Sequence, residues 1–352
     1  MKNILMATTA LVASTTFAMA DVDLSGWAEM GIIGGEETDG SDRDTQFHSD
    51  IDVRFSMSGT TDNGLTFGAF VDLDSTQGDG GAFVTTDGGS DTAIFVSSAF
   101  GTLTMGDTDG ALDFVMQEAI IGGTIDDVHE HAGYNGNSGL DGTYDGQVAR
   151  YDYSFGDFSV AVSAEIDDDR DSDSDADFDF GDSLDEIEDD NVLAVGVRYA
   201  GTFAGNDFGA GLGYQQAGDT NVTGLSLDTI LGFGLQVIFN YSTYDNAPLV
   251  VGTVQQDPTS PIQNEFVGQP NNAMLDNHYG LALGYDIAGF KVAANYGIFE
   301  TDQGDVQGLG LIANYDLGGG ANLQGGWARS EYDNIGGFED TDNFSLGIRM
   351  NF

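Results

Sequence analysis

Carboxylates are the reactive groups this sequence supplies in quantity. Fifty-nine Asp and Glu stand against nine Lys and Arg in 352 residues, a formal net charge of −50 at pH 7. With no cysteine in the chain, thiolate catalysis, Cys-ligated zinc and disulfides are excluded. No nucleophile–His–acid arrangement stands out, and the glycine run 317–320 matches no phosphate loop followed by a helix. His129-Glu130-His131 brings two imidazoles and a carboxylate together, yet no third ligand is evident at a useful spacing. The expectation there, as for His48 and His278, is a solvated or lumen-facing histidine. Asp171, Asp173 and Asp175 begin like a calcium-binding EF-hand loop, but Ala176 and Asp182 stand where its Gly and Glu belong. The expectation is therefore Ca2+ held loosely at acidic loops, with no required cofactor. What remains is charge itself. Asp107, Asp109, Asp113, Glu118, Asp126, Asp127 and Glu130 crowd into one polar connection, 107–146. Such acidity repels nucleic acid and anionic headgroups and gathers cations.

The elements that must position these groups are strands. Phe344, Leu346, Ile348, Met350 and Phe352 alternate with Asn343, Ser345, Gly347, Arg349 and Asn351. Successive strand residues point to opposite faces, so this ending has one apolar and one polar face. The same pattern runs through 51–58, 158–165, 235–242 and 290–298. Connections alternate between short Gly/Asn/Asp turns (60–64, 100–101, 155–157, 203–207, 232–234, 288–289, 317–320) and longer polar loops (35–45, 76–90, 107–146, 167–190, 218–221, 246–275, 301–306, 333–341). Seven turns and eight loops give sixteen strands. An even strand number, short turns on one side and long loops on the other predict an all-β, 16-stranded antiparallel transmembrane β-barrel. Its apolar face meets outer-membrane lipid and its polar face a water-filled lumen. Aromatics at the turns (Phe100, Phe155, Phe158, Phe203, Phe208, Phe233 and Phe290) suit an interfacial girdle.

The ends agree. Lys2, the apolar stretch 4–12 and Ala18-Met19-Ala20 read as a signal peptide over 1–20, leaving one barrel domain over 21–352. The eight basic residues beyond it are then legible. Arg54, Arg150, Arg198, Lys291 and Arg349 have lumen parity, Arg43 and Arg170 lie in loops, and Arg329 is ambiguous, since parity with Leu323 and Trp327 would turn it outward near a strand end. Basic side chains at the lipid-facing midplane cost roughly 2–4 kcal/mol, which explains that distribution.

Stretches 21–26 (DVDLSG), 57–69 (MSGTTDNGLTFGA), 98–111 (SAFGTLTMGDTDGA) and 315–321 (YDLGGGA), with terminal Phe352, resemble a porin of the alphaproteobacterial, Rhodobacter type. The chain lacks the Pro-Glu-Phe-Gly-Gly motif of enteric porins. The resemblance implies a homotrimer in the outer membrane, with the third loop, here 107–146, folded into the lumen as a constriction. It also implies passive diffusion of ions and small hydrophilic solutes, with no chemical step. Acids outnumber bases so heavily that cation preference is expected, from acidic loop residues set opposite the five wall cations. The alternatives are a substrate-selective channel and, further off, a barrel hydrolase. The hydrolase would need a lipid-facing Ser and His at one rim, and His278 has lumen parity.

Overall fold

The computed structural model describes residues 21–74, 92–143, 147–166, 191–203, 205–256 and 264–352, with the backbone alone for 203, 250–256 and 264–272. The proposed leader, the loop 76–90 and the acidic run 167–190, with Arg170, Asp171, Asp173 and Asp175, lie outside these residues. The strands are β1 (Asp21–Glu36), β2 (Asp42–Thr60), β3 (Thr66–Asp74), β4 (Thr92–Ser98), β5 (Gly101–Gly106), β6 (Val148–Phe155), β7 (Phe158–Glu165) and β8 (Val192–Phe203). The second half holds β9 (Asn206–Ala217), β10 (Thr220–Ile230), β11 (Leu235–Gln256), β12 (Asn264–Ile287), β13 (Phe290–Thr301), β14 (Asp305–Gly318), β15 (Ala321–Asp333) and β16 (Thr341–Asn351). Each strand pairs antiparallel with the next, and β16 closes on β1, with Trp27 opposite Asn351 and Gly34 opposite Phe344. Closure leaves no unpaired sheet edge, which a lipid environment demands because nothing there can hydrogen-bond a free backbone group. Among the described residues no helix is long and apolar enough to cross a membrane; this wall crosses with strands.

The outer surface is the apolar face. Leu24, Met30, Phe55, Met57, Val162, Leu212, Leu283 and Leu346 are all exposed on it. At the turn end, Phe158 stands 5.1 Å from Tyr199 and Phe290 4.7 Å from Tyr315, ring centre to ring centre. These rings form part of a girdle whose apolar bodies and polar tips suit the interface.

Several expected loops are shorter than the composition suggested. Gly218 and Asp219 alone join β9 to β10, because the flanking polar residues Thr220 and Asn221 continue the ladder. The connection over 246–275 also shrinks, since β11 and β12 keep pairing, across two register shifts, out to Gln256 and Asn264. Strand hydrogen bonding is indifferent to side-chain polarity outside the membrane, so a polar strand extension reads as loop from sequence.

The long connection after β5 enters the barrel. It forms helix α1 (Ala111–Val115) and a 3-10 turn at Ile125–Asp127, then returns to β6. Leu112, Val115 and Met116 pack on Ala161, Ala194 and Val222 of the inner wall, and Ala119 and Ile121 on Ile238 and Ala282. Burying a side chain such as Leu112 or Ile121 stabilises by roughly 1.5–3 kcal/mol, so the loop is bound to the wall rather than hanging free.

Candidate functional site

Small inward residues make the bed on which this loop lies. A Cβ on Gly297 would collide with the Gly133 carbonyl, and one on Gly211 with the Val115 carbonyl. Neither glycine is needed for its own backbone angles; each is needed because another backbone passes against it. Small polar neighbours supply hydrogen bonds. Ser163 Oγ accepts from Ala111 N at 2.8 Å, Ser226 Oγ from Gln117 N at 2.9 Å and Ser330 Oγ from Ala132 N at 3.0 Å. Asn240 Nδ2 donates to Gln117 O at 3.2 Å and to Asn137 Oδ1 at 2.6 Å, and Asn295 Nδ2 to His129 O at 3.0 Å. Loop backbone that would otherwise be buried without partners is thereby satisfied. The Ser and Asn residues expected to face lumen water instead hold the loop along this arc.

The far tip is latched to β1 and β2. Asp126 and Asp127 adopt left-handed angles, φ 55° and 38°, a region Asp tolerates better than most residues. Asp126 N donates to Glu29 Oε1 at 2.8 Å, and the same oxygen lies 2.8 Å from His48 Nε2. Arg43 reaches Asp126 at 3.3 Å and Arg349 reaches Glu29 at 3.5 Å. Arg43 belongs to β2 rather than to a loop. A register shift between Ile33 and Gly35 precedes its pairing with Gly35, and such a bulge re-aims a side chain that simple alternation would point outward.

Each of the five wall cations sits beside a carboxylate. Arg54 makes two bonds to Asp72, at 2.6 and 2.7 Å, with Phe70 against its guanidinium. Arg150 lies 3.7 Å from Asp152, donates to the Asp109 carbonyl and covers the Phe114 ring. Arg198 meets Asp228 at 2.6 Å and the Val115 carbonyl at 3.4 Å, underneath the loop. Lys291 meets Asp286 at 3.0 Å, and Arg349 stacks on Trp27, 3.8 Å from its ring centre. Arg329 is at the outer rim with Glu331, Asp340 and Asp342.

The loop acids face one another instead. Burial and the charges of Asp109, Glu118 and Asp141 push Asp113 up to about 8. Burial and Asp109 raise Glu118, against the hydrogen bond from Tyr134. Burial and the charges of Asp127 and Glu118 push Glu130 up to about 7. Asp126 and Asp127 are raised for the same reason, burial first. Asp107 begins the loop, its N–H bonded to Thr92 O at 2.8 Å. Among the described residues, no Lys or Arg nitrogen lies within ion-pairing distance of Asp109, Asp113, Glu118, Asp127 or Glu130. The lumen left open runs between this acidic loop and the inner faces of β2 to β5.

A Gram-negative porin family model matches residues 7–334. A porin of Rhodobacter capsulatus is 30% identical, over 94% of this chain and 100% of its own length. The chain belongs to the Gram-negative porin family. A refined porin structure shares 27% identity and a TM-score of 0.62, over 94% of this chain and 100% of that one. Engineered Rh. blastica porin variants share the fold at 15% identity and a TM-score of 0.62, over the same shares of each chain. This porin is an outer-membrane channel for passive diffusion, and the loop 107–146 is the element that narrows it.

The histidines of the porin are not solvated. His48, His129, His131 and His278 are 4%, 3%, 5% and 1% exposed. His278 Nε2 is 3.1 Å from Gly133 O, and His131 Nδ1 accepts from Gly133 N at 3.1 Å. Burial pushes His129 and His131 down to about 4. Sequence reasoning also passed over Glu29 and Trp27. Their lumen parity opposite Arg349 and Asn351 was readable from the β1–β16 pairing.

Proposed function

We propose that this porin favours cations. The observation that carries the reading is the asymmetry of pairing. Every wall cation has a carboxylate within 2.6 to 3.7 Å, so its field is largely cancelled locally. Asp109, Asp113, Glu118, Asp127 and Glu130 have no such partner and share one side of the constriction. Rings of charged side chains set ion preference in pores. A transverse field still runs from Arg54 on β2 towards the loop, but its negative side dominates.

Reversal potential in a potassium chloride gradient tests the sign. A potential of cation sign is expected, and Glu118→Gln, or Asp113→Asn at a pH above about 8, should shrink it. An anion-selective sign sinks the reading.

We also propose that the porin works as a homotrimer without a chemical step. The exposed patch of Val22 and Leu24 on β1 supports a protein contact there. Against a hydrolase stands the placement of all four histidines on the lumen side or in the loop, away from any lipid-facing rim. Conduction needs no resident cofactor in this reading, and Ca2+ screens the acidic loops loosely. Chemical cross-linking in native membranes should give a three-protomer species; a monomer alone would refute the trimer.

A further inference from the structure

We propose that Asp127, His129 and Glu130 bind a borderline divalent metal ion of the zinc class, in the wall of the constriction. One ring nitrogen of His129 and one carboxylate oxygen from each acid all lie within 4.8 Å of one another. No nitrogen–oxygen pair among them is close enough for a direct ion pair, and none is needed to explain the spacing. Zinc holds nitrogen and oxygen at about 2.0–2.2 Å, so donors on opposite sides of one ion stand about 4.0–4.4 Å apart and adjacent ones closer. Modest side-chain movement brings the three donors to that geometry.

The donor set selects the metal class. Calcium and magnesium take oxygen ligands, whereas an imidazole with carboxylates suits zinc and its neighbours in the transition series. Three protein ligands leave the remaining positions to water. The carboxylates open to the lumen while the imidazole lies behind them, so an ion enters from the pore.

The surroundings hold the imidazole in place, as outer partners of metal-binding histidines do. Thr124, fully buried, has its Oγ1 2.9 Å from His129 Nδ1 and accepts from His129 N at 3.3 Å. The His129 carbonyl is fixed by Asn295 at 3.0 Å. The left-handed turn at Asp126 and Asp127 brings Asp127 back towards His129. His131 is not a ligand here. Its ring is turned to the wall, against Gly308, with Nε2 3.4 Å from Asn295 Nδ2. The third ligand therefore comes from two residues before His129, in a reversed turn, and not from the second histidine of the motif.

A bound dication would cancel two of the loop's negative charges, so zinc would lower the conductance to cations. Binding itself does not depend on the sign of ion preference. The test is calorimetric titration of the full barrel in detergent with zinc chloride, in excess calcium chloride to occupy all-oxygen sites. One site per protomer is expected. His129→Gln should weaken it at least about tenfold, the order seen when a metal site loses supporting groups. Because His129 is buried, Glu130→Gln, at an exposed side chain, provides a second variant with the same expectation. Zinc absorption fine structure should show one imidazole in the bound state. Equal zinc affinity in the parent and both variants, or an oxygen-only shell around zinc, would overturn the site.

Discussion

Two arcs of one wall use their inward residues in opposite ways. From β7 round to β16 and β1, many inward positions are Gly, Ser, Asn or Ala, and the loop packs directly on them, as at Gly211, Ser226, Asn240, Ala282 and Gly297. From β2 to β5, they include Asp52, Arg54, Phe70, Asp72 and Phe95, and they border open lumen. Strand alternation is equally good on both arcs, so period alone cannot separate them. Residue size separates them in part: where the loop backbone lies directly on the wall, as at Gly211 and Gly297, no larger side chain fits. Small inward residues in a barrel therefore mark a covering loop as readily as an open pore.

Filling the covered arc should break the comparison most visibly. Gly297→Val places methyl groups where the Gly133 carbonyl runs. Overpacking of this kind costs about 1–3 kcal/mol and must displace the loop, since the strand is held on both sides. The expected outcome is a marked rise in single-channel conductance and earlier thermal release of the loop. Ser56→Val on the bare arc should leave conductance near that of the parent. Equal behaviour of the two variants would erase the distinction.

A smaller effect is expected from the latch. Glu29→Ala removes the acceptor shared by Asp126 N and His48 Nε2. An unsatisfied buried donor costs about 1–3 kcal/mol, here confined to the loop tip. Hydrogen exchange at the Asp126 amide should accelerate and open-channel noise should grow, with the barrel itself intact. Arg54→Ala on the bare arc is the counterpart. Its pair with Asp72 is partly exposed and worth at most about 1 kcal/mol to stability, so loop exchange should not change. Its measurable consequence is electrical: losing a wall cation should move the reversal potential further to the cation side.

Much of this was legible in the sequence, for identifiable reasons. Sixteen strands followed from alternation and from the segregation of turns and loops, because a closed wall in lipid leaves the chain little choice. Lumen parity of Arg54, Arg150, Arg198, Lys291 and Arg349 followed from the same period of two. Arg43 did not, because one bulge reverses parity and has no signature in composition. The partners of the cations were hidden too, since Glu29 meets Arg349 only through closure between the first and last strands. Asp127 with His129 was hidden because left-handed Asp residues fold the chain back over two positions. The glycine bed shows in the sequence only as small inward residues; the loop's path gives it meaning.

Titration offers the finest probe of the acidic side. Asp113 is pushed up to about 8 by burial and by Asp109, Glu118 and Asp141, against the pull of Arg150. A carboxyl in that state is neutral below the value and negative above it. Cation preference should therefore climb as pH rises through about 8, and Asp113→Asn should remove the climb. Stability runs the other way. An unfolded Asp ionises near 3.9, so from about pH 4 to 8 the folded loop binds the extra proton and loses stability as pH rises. Selectivity should thus sharpen while the loop loosens, in one pH window. The bare arc predicts no such opposition, because its Arg54 and Asp72 form a close bidentate pair. A reversal potential flat from pH 6 to 9, with loop exchange equally flat, would leave the two arcs electrically equivalent and remove the basis for assigning selectivity to the loop.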